Sequence, residues 1–325
     1  MIKRIYFSIF SILSIISAQE LSGYGSFLLI GPTARSAALG NTMHSTIGNP
    51  AALFSNPANL GFTNKPSFYL NSSINEKYFG NHGSAGILIP RGQINFGLGI
   101  SYLIIKGIEE YNSDAVYQGS FNSGDLGVIF AAAYFHRKMA WGLSAKYLKS
   151  SFSLSNTDNS QAFGFDIGFT SENLFESIPL TVGFTASRFF SYRDDELLEE
   201  FAPSSAVLGF KYSGEIKNID ISPFFDFSFQ KTMPTSLNLG LAVDWRLQET
   251  YQPIRRISLF LGGKGYYLEG GTNVEITELN QISNRLNVGG GVSLEYRNIK
   301  FDFDYCYNLN NFYIKRDFIT ISINW

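Results

Sequence analysis

Four residues near the C-terminus, Asp302, Asp304, Cys306 and Asn308, occupy alternate positions along one short stretch. Two carboxylates, a thiol and an amide could ligate a metal ion if further ligands converged on them from other segments. In a β-strand, every second side chain points to the same face, so this spacing predicts a row along one face. We therefore expect solvated or arginine-paired carboxylates here and no metal site.

A serine hydrolase would need a histidine beside a nucleophilic serine. The chain has 3 histidines, and the surrounding residues place His44 in a non-strand N-terminal segment, His82 in a loop and His136 in a turn. None of them is expected to lie beside an inward serine of a strand. The sequence thus favours a protein that is not an enzyme, with no catalytic residues and no cofactor.

The elements that carry these residues are predicted by apolar alternation. From Gln93 to Ile105, large apolar side chains occupy every second position, and glycine, serine and asparagine dominate the positions between them. A period of two is typical of a strand with one apolar face, and similar patterns recur as far as Trp325. Small polar residues suit a crowded barrel interior, and glycines allow a segment to pack closely inside. The charged residues predicted to face the interior are Asp166, Asp244, Arg246, Glu295, Asp302 and Asp304.

Composition favours a membrane protein that crosses with strands. Aromatic residues make up 16% of the chain and charged residues 16%, whereas charged residues are about 25% of soluble domains. Beyond the first 18 residues, no apolar run approaches the roughly 20 residues that a spanning helix needs. The fold class predicted is therefore all-β, a transmembrane antiparallel barrel. A net charge of −2 gives no electrostatic footprint for nucleic acid.

The chain opens on an export signal. Residues 1–18 combine a basic start at Lys3 and Arg4, an apolar run from Ile5 to Ile16 and small residues at the end. This order is typical of a cleaved secretory signal peptide. We expect the mature protein to lie in the bacterial outer membrane, with lipid as its surroundings.

About fourteen candidate strands follow one another from Ser67–Ile74 to Arg316–Trp325, the second being Ser84–Ile89. The links between them largely alternate between long and short, as in bacterial barrels with short periplasmic turns. The barrel is therefore expected to comprise residues 65–325, with both of its ends in the periplasm. Residues 19–64 do not alternate, and we expect them to form a partly helical hatch or plug inside the barrel.

The N-terminal segment carries a family resemblance. A glycine-flanked stretch from Gly31 to Gly40 contains Arg35 and is followed by Asn-Pro-Ala-Asn-Leu-Gly at 56–61. This pair of motifs resembles the opening of the PorV/PorQ family, and the likeness continues through 85–90, 107–110, 117–121, 141–147 and 162–168, so that it covers the first half of the mature chain well and the second half only in general pattern. That family resembles the FadL fatty-acid transporters, fourteen-stranded barrels with an N-terminal hatch. The chain departs from its relatives at 47–50, where a second Asn-Pro element appears.

The hatch supplies the candidate gating residues Arg35, Asn56, Pro57 and Ala58. Pro57 has a fixed φ, and the Asn56 side chain can bond the backbone two residues on. The resemblance implies an accessory or shuttle role in type IX protein secretion, with other secretion components and exported proteins as partners. A FadL-like importer of small hydrophobic molecules and a purely structural barrel are the alternatives. The polar interior residues favour protein handling over lipid transport.

Overall fold

The computed structural model describes residues 30–75, 80–152, 159–175, 178–193, 196–198, 205–230, 235–247, 253–267, 286–308 and 316–325. The expected signal peptide and the first part of the expected hatch, residues 19–29, lie outside these ranges. Among the described residues, no helix is both long and apolar enough to cross a bilayer.

Sixteen antiparallel strands lie in the described part of the chain. They are β1 (Ser67–Asn75), β2 (Asn81–Arg91), β3 (Ile94–Tyr111), β4 (Tyr117–His136), β5 (Met139–Phe152), β6 (Asn159–Ser171), β7 (Leu180–Arg193), β8 (Glu196–Leu198), β9 (Ser205–Tyr212), β10 (Gly214–Ile216), β11 (Ile219–Gln230), β12 (Ser236–Arg246), β13 (Ile254–Tyr267), β14 (Leu286–Tyr296), β15 (Ile299–Asn308) and β16 (Arg316–Asn324). Before them come one α-helix (Ala34–Ala38) and two 3-10 helices (Pro50–Phe54 and Pro57–Phe62).

The sheet closes on itself. β1 pairs with β16, and β9 pairs with both β7 and β11. The three-residue strands β8 and β10 only add to β7 and β11, so the remaining fourteen form the barrel wall. The predicted transmembrane antiparallel barrel of about fourteen strands is confirmed. β1 begins and β16 ends at the same end of the barrel, which we call the terminal end; the opposite end is the loop end.

The two faces of the wall differ as the alternation predicts. On β5 and β6 the outward Leu143 and Ile167 are each 62% exposed, whereas the inward Ser144 and Asp166 are 4% and 1% exposed. Large exposed apolar side chains recur on the outward face of nearly every wall strand. An apolar band around a closed barrel is the surface that lipid requires.

Two strands run well past their predicted ends. β3 and β4 extend to Tyr111 and back from Tyr117, so most of the expected loop between them is a hairpin. Its residues include glycine, serine, asparagine and glutamate and lack apolar alternation. Because backbone pairing does not require that alternation, the extension left no signal in the sequence.

The barrel interior contains two apolar clusters, one on each side. The first joins Ala34, Ala37, Ala38 and Leu39 of the N-terminal segment to wall residues including Phe260. The second joins Leu53 and Leu60 to Leu88, Ile129, Ala131 and Ala133 of the wall. The N-terminal segment therefore supplies the core of the barrel and lies within it.

Candidate functional site

Residues 30–62 lie inside the barrel, and we call them the plug. Its α-helix begins after Thr33, whose Oγ1 accepts a hydrogen bond from the Ser36 amide at 3.1 Å, while the Ser36 Oγ accepts one from the Thr33 amide at 3.0 Å. This reciprocal capping satisfies two donors at the start of the helix. The helix is followed by Gly40 and Asn41, which have φ of 65° and 62°. A positive φ at both residues turns the chain away from the helix axis.

Two asparagines begin the two 3-10 helices in the same way. The Oδ1 of Asn49 accepts from the Ala51 amide at 2.9 Å, and that of Asn56 accepts from the Ala58 amide at 3.0 Å. Each is followed by a proline, which lacks an amide hydrogen and fits the first helical position. The doubled Asn-Pro element of the sequence is thus a repeated structural unit.

The Asn56 amide connects the plug to itself and to the wall. Its Nδ2 lies 2.8 Å from the His44 carbonyl oxygen, 3.2 Å from that of Phe169 and 3.0 Å from the Thr170 Oγ1. Asn59 donates to the His44 carbonyl at 3.1 Å and accepts from the Thr170 hydroxyl at 2.6 Å. Thr170 belongs to β6, so both asparagines fix this part of the plug to one strand.

Asn95 of β3 makes the same kind of contact from the wall to the plug. Nδ2 of Asn95 lies 2.7 Å from the Leu60 carbonyl oxygen and 2.6 Å from that of Thr63. Asn95 is 1% exposed. Buried amides that reach several backbone carbonyls satisfy groups that would otherwise be costly to remove from water.

Inward glycines allow the plug to touch the wall backbone directly. A Cβ at Gly142 on β5 would collide with the Ala58 amide, one at Gly183 on β7 with the His44 carbonyl, and one at Gly262 on β13 with the backbone of Leu39. The glycine-rich interior predicted from the sequence is therefore, at these positions, a seat for the plug.

At β11–β13, on the side of the barrel opposite β3, the plug contacts the wall through charged side chains. The Arg35 guanidinium lies 3.3 Å from the Asp244 carboxylate on β12 and stacks 4.7 Å from the centre of the Phe260 ring. Arg256 of β13 lies 3.6 Å from the same carboxylate. Asp244 therefore has one basic partner in the plug and one in the wall.

His44 makes the second such contact. Its Nδ1 lies 2.7 Å from the Oδ2 of Asp226 on β11, and its backbone amide donates to the same oxygen at 3.3 Å. The Asp226 side chain is completely buried. The sequence around Asp226 and around His44 does not predict that these two residues pair. Asp226 is nevertheless a lone carboxylate in an aromatic strand, and the same feature led to the prediction that Asp166 faces the interior.

A cavity of about 560 Å³ opens at the terminal end, beside the plug. Its charged lining includes Arg35, Lys211, Asp244, Arg256, Asp302 and Asp304. Apolar side chains of the plug, Ile47, Pro50 and Phe62, line it as well. We call this cavity the chamber.

Four of the six charged residues predicted to face the interior line the lumen or the chamber. Asp244, Asp302 and Asp304 line the chamber, and Asp302 pairs with Arg256 and Lys300, each at 3.1 Å. Asp166 lies elsewhere in the lumen.

Asp166 pairs with Lys146 of β5 at 2.7 Å and accepts from the Ser144 hydroxyl at 2.7 Å. The remaining two predicted residues lie at the rim of the terminal end. Arg246 pairs with Glu215 and Asp220, and its side chain is 47% exposed. Glu295 pairs with Arg255 at 3.1 Å, and its side chain is 39% exposed.

The prediction that His82 lies in a loop, away from any inward serine, is wrong. β2 begins at Asn81, and His82 is an inward residue, 1% exposed, whose Nε2 lies 3.1 Å from the Ser101 Oγ. Residues 81–83 lack apolar alternation, yet they pair with β3 through their backbone. Ser101 is 2% exposed, so this pair is enclosed by the protein.

The fold has counterparts among solved structures. The toluene transporter TodX of Pseudomonas putida is 12% identical with a TM-score of 0.57, over 95% of this chain and 98% of that one. The toluene transporter TbuX of Ralstonia pickettii is 17% identical with a TM-score of 0.50, over 91% and 98%. The monoaromatic hydrocarbon channel CymD is 11% identical with a TM-score of 0.57, over 91% and 97%.

At these identities the likeness shows the fold alone, which agrees with the antiparallel barrel of about fourteen strands expected from the sequence. No family model matches the chain. No curated protein matches it in sequence. None of these comparisons supports the resemblance to the PorV/PorQ family or a part in type IX secretion.

Proposed function

We propose that this chain is an outer-membrane channel that admits small, mainly apolar molecules through a barrel closed by its own N-terminal segment. The observation that carries the proposal is the plug itself, a chain segment fixed across the lumen by a few polar contacts, with the chamber beside it at the terminal end. The printed descriptions of TodX, TbuX and CymD as toluene transporters or a monoaromatic hydrocarbon channel favour a permeant of this class.

The polar character of the interior does not oppose this proposal. Several inward polar side chains are occupied in holding the plug: Asn95, Thr170, Asp226, Asp244 and Thr320 all bond plug atoms. Part of the polarity that favoured protein handling in the sequence is thus a seat for the plug. The chamber is lined mainly by charged and polar groups, with Ile47, Pro50 and Phe62 among its few apolar residues, so it is a polar vestibule beside the plug and not the mainly apolar pocket of a small-molecule site.

Uptake of radiolabelled toluene by Gram-negative cells tests the proposal. Cells that make the barrel are compared with cells that carry the empty vector, after heat-modifiable migration on a gel has confirmed assembly. We expect faster uptake at submicromolar toluene in the cells with the barrel, and unlabelled toluene in excess should compete. Equal uptake in both cell types, with the barrel assembled, would exclude a role in admitting this class of molecule.

A further inference from the structure

The plug consists of two parts that are held in different ways. The turn half, residues 43–62, carries both 3-10 helices and the amide contacts of Asn56, Asn59 and Asn95. The helical half, residues 31–39, carries the α-helix and Arg35. Gly40 and Asn41, both with positive φ, lie between them.

We propose that the turn half is fixed and that the helical half is the gate, which turns about Gly40 and Asn41 and is latched by Arg35 on Asp244. This inference rests on the proposed function, because it states which part of the plug must move for a molecule to pass. It changes the role expected for Asn56, Pro57 and Ala58, which become part of the fixed seat.

The turn half is held by large apolar side chains and by a polar network. Leu53 and Leu60 are completely buried against the wall. The network spans the neighbouring wall strands from β6 to β11, since Thr170 of β6 bonds Asn59, Asn59 bonds the His44 carbonyl, and the His44 ring bonds Asp226 of β11. Moving this half would expose the leucines and break contacts on both sides of the barrel.

The helical half has fewer and smaller contacts. Its helix packs through Ala34, Ala37 and Ala38 and is followed by Leu39, its one buried leucine, and alanine buries far less apolar surface than leucine. Besides the Arg35 contacts with Asp244 and the Phe260 ring, its hydrogen bonds to the wall among the described residues are two: the Ala34 amide donates to the Thr320 Oγ1, and the Ser84 hydroxyl donates to the Pro32 carbonyl. Two neutral bonds, the Arg35 contacts and the burial of one leucine and three alanines thus oppose its displacement.

The wall is arranged so that Arg35 can leave Asp244. Arg256 and the Ser258 hydroxyl remain on the Asp244 carboxylate, so this group keeps partners when the plug arginine moves away. Asp304 lines the same chamber, and within the described part of the chain no hydrogen bond or ion pair joins its side chain to another residue. Because Arg35 lines this chamber too, Asp304 offers a displaced Arg35 a second carboxylate acceptor.

The chamber borders both halves of the plug, since residues 46–50 and Phe62 of the turn half and Arg35 of the helical half line it. All the wall residues that line the chamber belong to β9–β16 and the links between them; among the described residues, none comes from β2–β7. Arg35 itself lines the chamber. Displacing the helical half would lengthen this existing space towards the loop end along β12–β16.

Two engineered disulfides, each in a Cys306→Ser background, fix one half of the plug at a time. Leu53→Cys with Gly97→Cys locks the turn half, where the Cβ–Cβ distance would be 3.7 Å. Leu39→Cys with Gly240→Cys locks the base of the helical half, where it would be 3.3 Å. Both distances are close to the range of about 3.5–4.5 Å in natural disulfides. Because a Cβ at Gly240 would also lie 2.8 Å from the Leu39 carbonyl oxygen and 2.5 Å from the Thr42 Oγ1, the reduced form of this variant is the reference for its oxidised form.

The conductance of the purified barrels in planar lipid bilayers reports movement of the plug and does not require a known substrate. We expect oxidation to reduce open-state events at least tenfold in the helical lock and to leave the turn lock like the parent, with recovery after reduction. Arg35→Met without a lock should increase those events. The proposal would be overturned if the oxidised turn lock showed no open-state events, or if the oxidised helical lock conducted like the parent. Because these readouts need no substrate, they remain decisive even if toluene uptake fails.

Discussion

The imidazole Nδ1 of His44 lies 2.7 Å from the Oδ2 of Asp226, although 182 residues separate them in the chain. This contact joins the plug to β11 at a carboxylate that is completely buried. The carbonyl of the same histidine accepts hydrogen bonds from Asn56 and Asn59. His44 therefore links β11 to the two plug asparagines, Asn56 and Asn59, that bond Thr170 of β6.

Removing the Asp226 carboxylate should loosen the fixed half of the plug. Asp226→Ala removes the acceptor of both the His44 ring and the His44 amide, and hydrogen bonds to charged groups contribute about 1.5–3 kcal/mol each. We expect the barrel to assemble and residues near the plug to become sensitive to added protease in the purified protein. Asp166→Ala is the matched control, because this carboxylate bonds only wall residues among its described contacts. Equal protease sensitivity in the two variants would contradict the role given to Asp226.

A methyl group at Gly142 should displace the plug without preventing closure of the sheet. Its Cβ would collide with the backbone of Pro57 and Ala58, whereas a Cβ at Gly290 meets its nearest atom at 3.4 Å. Overpacking of this kind costs about 1–3 kcal/mol. We expect Gly142→Ala to raise permeability to small polar antibiotics, with Gly290→Ala as the unaffected control and heat-modifiable migration retained in both. Unchanged permeability in Gly142→Ala would show that the turn does not depend on this close approach.

The fold followed from the sequence because its signals are local. Alternation along each strand predicts which side chain faces lipid, and the bond from Asn56 to the Ala58 amide lies within a single turn. The contacts that fix the plug are of another kind. Asp226, Asn95 and Thr170 become partners of the plug only through the closure of the barrel, and no spacing in the sequence brings them together.

Charge on the two faces of the wall should have different effects on stability. Leu241→Arg and Val292→Arg place a cation on the outward face and should each lower the free energy of unfolding by about 2–4 kcal/mol near mid-bilayer. Asn238→Arg on the same strand as Leu241 points inward and should cost less. Denaturant unfolding in lipid vesicles, followed by tryptophan fluorescence, measures all three. Equal losses on both faces would mean that the outward face does not meet lipid.

The orientation of the barrel can be measured by thiol labelling of single cysteines in a Cys306→Ser background. Asn112→Cys, at the loop end, should react with an impermeant maleimide on whole cells. Lys138→Cys and Asn298→Cys, in tight turns at the terminal end, should react only after the outer membrane has been opened. The reverse pattern would place the terminal end outside the cell and the chamber at the wrong side for import.

If molecules pass by displacement of the helical half of the plug, a disulfide that fixes this half should stop their uptake. Toluene uptake is followed in cells that carry the Leu39→Cys, Gly240→Cys lock, first oxidised and then treated with dithiothreitol. We expect uptake at the empty-vector rate while the disulfide is closed and faster uptake by the same variant after reduction. Uptake that stays at the parent rate while the disulfide is closed would contradict passage by displacement of this half.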